Sequence, residues 1–425
     1  MNTRIILATA LIGGAISAQG QDWRSWRGDP NGRGAAPKAQ TVTKFSDDEN
    51  LVWKTELPGP GNSTPIISGE KLIVTCGIDG KDAVVAYSLQ GKELWRSVLG
   101  KETAGKGGNR NKGTGSNSSV VTDGRGIFAY FKSGRVAALT MGGKKVWELN
   151  LHEKYGEDTL WWDQGSSPVL AGGLLVVAVM QTEGNSYLVG LDKKTSKEVW
   201  KTERQFDVAP ESGDSYTTPL VMTIDGQETI VTWGADHLTG HDPKSGKQIW
   251  FCGGFNPNRT KFWRVISSPA ATDGIVALSY ARGLQTGAIR AGGKGDISKT
   301  AWLWKNDEVG ADAASPVAHD GKFFVLNDNG KKRGLITCLD AVTGKALWDQ
   351  KLPKAPQIYY SSPLLAGDNL YIARVDGTIF CGTVTKDGLT NLTENKLEDN
   401  LYASLVAIGN KLYVRGRKNL YCFGK

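Results

Sequence analysis

Ser167-Pro168-Val169-Leu170-Ala171-Gly172-Gly173 opens a stretch that runs on through Leu174-Leu175-Val176-Val177-Ala178-Val179 and Ser186-Tyr187-Leu188-Val189-Gly190-Leu191 and closes at Glu198-Val199-Trp200-Lys201. Val169-Leu170 is a short apolar start, and Gly172-Gly173 turns the chain where a side chain would clash. Leu174 to Val179 is apolar and largely β-branched without alternation, as a strand buried on both faces requires. Ser186 to Leu191 reads as a third strand. Asp192-Lys193-Lys194-Thr195-Ser196-Lys197 then makes a turn whose Asp side chain bonds backbone N–H groups two residues on. The segment reads as four short antiparallel strands, the last carrying a Trp.

The same grammar recurs along all 425 residues. Strand starts follow Ser63-Thr64-Pro65, Ser118-Ser119-Val120, Ser166-Ser167-Pro168, Thr217-Thr218-Pro219, Ser267-Ser268-Pro269, Ala314-Ser315-Pro316, Ser361-Ser362-Pro363 and Ala403-Ser404-Leu405. The fourth strands end near Trp53, Trp95, Trp147, Trp200, Trp250, Trp304 and Trp348, with Leu392 standing in for the Trp of the weakest copy. In Asp242-Pro243-Lys244-Ser245-Gly246 and Asp340-Ala341-Val342-Thr343-Gly344 the Gly accepts a positive φ. A period of roughly 42–55 residues made only of strands and turns is the mark of a β-propeller. Leu51 to Leu57 looks like a fourth strand with no first three before it. The C-terminus supplies three strands (Ser404 to Ala407, Lys411 to Val414, Asn419 to Phe423) with no fourth after them. Pairing the two ends closes the ring without free sheet edges. The predicted fold is all-β, an eight-bladed propeller of four-stranded antiparallel blades over residues 51–425. Deleting 51–57 is expected to be severe, and deleting 21–40 milder.

Residues 1–20 read as a secretory signal: Arg4, an apolar core from Ile5 to Ile16, and the small-residue site Ala18-Gln19-Gly20. The apolar core is too short to span a bilayer. An exported protein, periplasmic or extracellular, is expected. Residues 21–50 are Gly-rich, lack strand alternation and carry Trp23 and Trp26; they are expected to lie over the propeller with the Trp rings on apolar surface. The net charge of +8 is scattered over many turns. It suits a protein or anionic polymer partner and, without a basic stripe, no nucleic acid. Cys76, Cys252, Cys338, Cys381 and Cys422 are odd in number, and the last three fall at like places in successive repeats, so they read as buried packing rather than disulfides.

The Asp-x3-Gly-x3-Trp turn resembles that of the quinoprotein-type repeat family, which holds eight-bladed pyrroloquinoline quinone (PQQ) alcohol dehydrogenases and a non-enzymatic outer-membrane assembly factor. The resemblance covers residues 51–425. Trp23-Arg24-Ser25-Trp26-Arg27-Gly28 and Asn31-Gly32-Arg33-Gly34 resemble a leader of exported bacterial members. The resemblance implies that an enzyme of this family would hold PQQ with Ca²⁺ and a carboxylate base, and would carry two adjacent Cys beside the quinone. No two Cys are adjacent here. That departure favours a non-catalytic binding or scaffold module, monomeric, with no cofactor. A divergent PQQ alcohol or sugar dehydrogenase with calcium, using Asp163, Asp214 or Asp312 as base, is the alternative; a carbohydrate-binding propeller centred on Trp161 and Trp162 is another.

No catalytic or metal-ligating residue is assigned. Gly100-Lys101-Glu102-Thr103-Ala104-Gly105-Lys106-Gly107 lacks the hydroxyl and the helix of a phosphate loop; it reads as a basic loop with Lys106, Arg110 and Lys112 exposed. His237 and His241 have helical zinc spacing but lie on a strand, where they stand ~13 Å apart. The candidate ligand rim comprises the residues just before each innermost strand: Asn62, Asn117, Asp163 with Gln164, Asp214 with Tyr216, Arg264, Asp312, Tyr359 with Tyr360, and Tyr402. Trp161, Trp162, Phe262 and Trp263 stand alongside. The fifth repeat departs most from the pattern. Ala281 to Asp296 reads as a long Gly- and Arg-rich loop that gathers Arg282 and Arg290 into one sector with Arg259 and Lys261, beside Arg264.

Overall fold

A computed structural model of the chain describes residues 22–104 and 114–425. Residues 1–20, where a signal is expected, and Lys106, Arg110 and Lys112 lie outside the described residues. Eight antiparallel sheets follow one another around a ring, so the molecule is an eight-bladed β-propeller. In the third blade Val169–Ala171, Leu174–Val179, Tyr187–Asp192 and Glu198–Glu203 form the four strands, in the order read from the sequence. The eighth blade joins the two ends: Val406–Ile408, Lys411–Arg415 and Asn419–Phe423 are completed by Leu51–Glu56. Leu51 faces Phe423, Trp53 faces Cys422 and Glu56 faces Asn419.

The small-residue pairs have a physical reason. The backbone N–H of the second residue of one pair donates to the hydroxyl of the second residue of the next. Ser119 N–H thus reaches Ser167, Ser167 reaches Thr218, Thr218 reaches Ser268 and Ser268 reaches Ser315, all at 2.9–3.0 Å. Ser315 continues to Ser362, Ser362 to Ser404 and Ser404 to Thr64 at 2.9–3.2 Å. The belt runs round the central channel from the second blade to the first in seven links and supplies acceptors to buried N–H groups that would otherwise be unpaired; between the first and second blades the Thr75 hydroxyl donates to the Ser118 carbonyl at 3.0 Å instead.

The Trp residues perform the same task outside. In seven blades the ladder slips by one residue at the position before the Trp. This bulge turns the ring toward the next blade. The indoles of Trp53, Trp95, Trp147, Trp200 and Trp304 donate to carbonyls in the turn before the following blade's outermost strand (Leu89, Met141, Lys193, Pro243 and Ala341) at 2.8–3.2 Å. The residue facing each Trp across the sheet must be small. A Cβ on Gly190 would stand 2.4 Å from the Trp200 ring. Cys338 and Cys422 occupy this position opposite Trp348 and Trp53. All five cysteines are buried free thiols.

The stand-in at the seventh blade is a correction. Leu392 is exposed within a wider bulge, and Thr393 is the residue that faces Cys381. Thr393 donates to the Thr43 carbonyl of the leader at 2.7 Å, and Phe45 of the leader packs on Phe423 of the eighth blade at 4.5 Å between ring centroids. A leader aromatic therefore fills the space that a Trp fills elsewhere.

The leader runs along the innermost strands at one face of the ring. Carbonyls of Trp23, Arg24, Pro30, Asn31, Arg33 and Gly34 accept N–H groups from Ile67, Thr122, Val221, Ala271, Ala318 and Leu365. Ala35–Ala36 adds in parallel to Leu364–Ala366. Arg27 is buried and donates to the Pro363 and Pro316 carbonyls at 2.6 and 2.7 Å. Burial without a carboxylate contact lowers its pKa to about 9.

The fifth blade also corrects the sequence reading. Gln285–Arg290 is its regular third strand, Ala281–Gly283 is a tight turn before it, and Gly295–Asp296 pairs with the outer strand of the fourth blade. The Gly and Arg content reflects two turns flanking a strand, not one loop.

Candidate functional site

Each innermost strand starts at the face opposite the leader, so the segments leading into them converge on one mouth of the channel. There they enclose a well of about 350 Å³. Asn62, Asn117, Trp162, Asp163, Tyr216, Arg264, Asp312, Tyr359, Tyr360 and Tyr402 all line it. Trp161 is on the same segment but exposed at the rim, while Gln164 and Asp214 are buried in the wall behind. The Asp214 carboxylate accepts the Thr182 N–H at 2.6 Å, and burial raises its pKa.

The two arginines of the fifth repeat separate. Arg282 lies in the turn at the mouth and donates to the Phe262 carbonyl at 3.4 Å. Arg290 sits at the far end of Gln285–Arg290, opposite Ile275, and donates to Asp273. At ~3.3 Å per residue the strand holds them well over 15 Å apart. The expected four-cation sector does not form, and Arg259 is paired with Asp207 at 2.8 Å.

Within the well, Arg264 donates to Asp312 at 3.0 and 3.5 Å and lies 3.5 Å from Glu211. Asp328 sits behind Asp312 and accepts backbone N–H groups from Asp312, Ala313 and Ala314 at 2.6–2.9 Å. Burial outweighs those bonds and pushes its carboxyl up to about 6. Asn62 donates to Asn117 at 3.0 Å, and the Tyr360 and Tyr402 rings stack at 5.6 Å. Trp26 reaches the well from the leader and forms its floor. Trp26, Asp328 and Asn329 were not legible as site residues. Trp26 is far away in sequence, and the other two lie in a turn between strands rather than before one.

The segment bearing Trp161 and Trp162 is pinned from below. Asp158, buried, binds Lys132 and lies 3.2 Å from His152. Burial opposes its ionisation, but His152 and Lys132 hold its carboxyl below the usual range. Thr159 N–H donates to Gln181 at 2.8 Å. His237 and His241 are not gathered toward a common ligand. His237 stacks on Phe206, and His241 is bonded to Gly246 and Thr239 at 3.0 Å, with burial lowering its pKa to about 4. Among the described residues no cluster of three or more His, Cys, Asp or Glu is placed to hold a metal ion.

Asp82, between the first and second blades, has no exposed surface. Ser133 and Arg135 reach one oxygen and none reaches the other. Burial pushes its carboxyl up to about 7. The native state therefore keeps a proton that the unfolded chain releases near pH 4. Stability is expected to fall as pH rises from about 4 to 7, by at most roughly 3–4 kcal/mol. Urea midpoints measured across that range should flatten in Asp82→Asn.

An eight-bladed ring with one end capped and the other open as a polar and aromatic well is the class of protein that fold and site define. The chain belongs to the PQQ-type repeat family whose model is described as outer membrane protein assembly factor BamB, which matches residues 36–184, 143–381 and 256–414. No curated protein sequence matches it. Among solved structures, BamB from Moraxella catarrhalis is 14% identical with a TM-score of 0.60, over 88% of this chain and 99% of that one. Quinohemoprotein alcohol dehydrogenase from Comamonas testosteroni is also 14% identical, with a TM-score of 0.66 over 96% of this chain and 81% of that one. Saccharomyces cerevisiae Sqt1 is 12% identical with a TM-score of 0.58, over 88% of this chain and 98% of that one. At these identities the likeness is one of fold. No helix among the described residues is long and apolar enough to cross a membrane.

Proposed function

We propose that the protein is an exported, non-catalytic binding propeller that holds a protein or polymer partner at the open face of the well. The observation that carries this reading is the rim itself. Trp161 (57% exposed), Trp162 (40%), Phe262 (57%) and Leu284 (65%) all belong to segments at the open face. Large apolar groups gathered on one face around a polar depression are what an interaction site presents. The family description, an outer-membrane assembly factor, supports both the partner class and the envelope location.

The donor set argues against a quinone enzyme. PQQ would enter with Ca²⁺, which needs free carboxylate oxygens, and here Asp312 is committed to Arg264, Asp328 to three backbone N–H groups, and Arg264 is itself shared with Glu211. Tyr360 and Tyr402 contact each other and leave no slot between them for a third ring. These residues do not fit that cofactor. Mixing the purified protein with PQQ and Ca²⁺ is expected to give no shift in quinone absorbance and no dye reduction with alcohols or sugars. Turnover in that assay would overturn the proposal.

A further inference from the structure

We infer that the leader face carries a second binding site, over the innermost strand of the third blade, for one extended apolar segment of a partner polypeptide. It is separate from the open well and does not rest on what the well binds. The observation behind it is a break in a repeated pattern. One position in each innermost strand turns its backbone N–H away from its own blade, toward the leader. In six blades that N–H (Ile67, Thr122, Val221, Ala271, Ala318 and Leu365) donates to a leader carbonyl at 2.8–3.1 Å. Leu170 holds the same place in the third blade, opposite Leu175, as Ile67 stands opposite Leu72. Among the described residues its N–H meets no acceptor. Ala407 of the eighth blade, at the seam between the two ends of the leader, also lacks the bond, but it is buried. Leu170 is partly exposed.

The path of the leader explains the gap. Its Arg24 carbonyl lies on the second blade and its Pro30 carbonyl on the fourth. Between them Gly28 N–H closes a turn on the Ser25 carbonyl at 2.9 Å, and Arg27 reaches across the ring to Pro316 and Pro363 of the sixth and seventh blades. The third blade is stepped over. A cavity of about 300 Å³ is left there, lined mainly by Trp26, Val121, Val169, Leu170, Pro219 and Leu220.

Two features select the occupant. An open strand edge is matched by an extended backbone, whose main-chain bonds give affinity while a pocket reads the side chain. Neighbouring blades already show that occupant at this register. Trp23 exchanges both backbone bonds with Ile67, and Ala35–Ala36 lies alongside Leu364–Ala366. The apolar lining then takes an aliphatic side chain, and the volume is too small for a helix roughly 10–12 Å across. The described strands of this chain are already paired within its own blades, so the segment comes from another polypeptide.

Titration calorimetry on the whole protein tests this with three acetylated and amidated peptides. The first is Ser-Val-Leu-Val-Ser, the second has Asp in place of Leu, and the third is the first N-methylated at its three central residues. The first is expected to bind at least about tenfold more tightly than either of the others. The Asp peptide would bring a charge into an apolar cavity, and the methylated one cannot pair with a strand edge. Slowed amide exchange on binding is expected in fragments carrying Val169–Ala171. Leu170→Pro removes the N–H at an edge position that accepts Pro, and is expected to weaken the first peptide at least about tenfold. Leu170→Ala keeps the N–H and is expected to stay within about threefold of the wild type. If circular dichroism shows Leu170→Pro to be unfolded, the methylated peptide on the wild-type protein decides in its place. Equal binding of the methylated or the Asp peptide, undiminished binding by folded Leu170→Pro, or no binding up to about 1 mM overturns the inference. So does exchange slowed only around Trp161 and Trp162, or a dimer in sedimentation that the peptide disperses, which would make a second copy the occupant.

Discussion

Removing Leu51–Glu56 is expected to leave a chain that does not fold to a stable monomer, seen as loss of a cooperative thermal transition together with light scattering. The strand does two things at once. It covers the outer edge of Asn419–Phe423 through a register that runs from Leu51 opposite Phe423 to Glu56 opposite Asn419. It also carries Trp53, whose indole donates to the Leu89 carbonyl of the first blade at 2.8 Å and whose ring lies against Gly91. Deletion therefore exposes an unpaired edge, which invites intermolecular pairing, and unlocks the eighth blade from the first. Trp53→Ala separates the two effects. It keeps the edge covered and removes only the interblade ring, at an expected cost of about 3 kcal/mol read from urea denaturation. A deletion variant melting at the wild-type temperature would show that ring closure does not depend on the shared blade.

The repeat made most of this legible beforehand, for a physical reason. Trp and its Asp–Gly turn recur because each blade must dock on the next in the same way, and the Ser/Thr pairs recur because each blade must lend a hydroxyl to its neighbour's N–H. A requirement met seven times around the ring leaves a visible period. What the period could not reveal are places met once. Leu392 looked like a degenerate Trp because it is apolar and nearby, yet the bulge places Thr393 at that register and the leader fills the gap. Ala281 to Asp296 looked like one loop because the strand between its Gly-rich turns has no β-branched run; its one Gly lies beneath Trp302, where a Cβ on Gly287 would stand 2.6 Å from the ring. At the site, position before each inner strand found most of the rim. Arg290 failed that test since it lies at the opposite end of its strand, and Trp26 was missed because only the closed ring brings the leader to the floor of the well.

Leader variants are expected to be more damaging than the sequence suggested, and the reason lies in what the leader replaces. Deletion of 22–45 would uncover N–H groups on the innermost strands of six blades, from Ile67 to Leu365. Most of those groups would face water, which lowers the cost of each. Two side chains differ. Phe45 is buried against Phe423, and its backbone N–H donates to Asn395 at 2.8 Å. Phe45→Ala opens a cavity between the seventh and eighth blades and is expected to cost about 3–5 kcal/mol. Arg27 bonds the carbonyls of Pro316 and Pro363 from the channel centre. Arg27→Met preserves volume but leaves both acceptors unpaired, so about 2–3 kcal/mol is expected. Both residues touch the seventh blade, Arg27 before its innermost strand and Phe45 at its outermost, but they share no partner, so their effects should add within roughly 0.5 kcal/mol in the double variant. Strong non-additivity in urea denaturation would mean that the leader docks as one all-or-none unit, and wild-type stability in Phe45→Ala would show that the seventh blade closes without an aromatic in the Trp position.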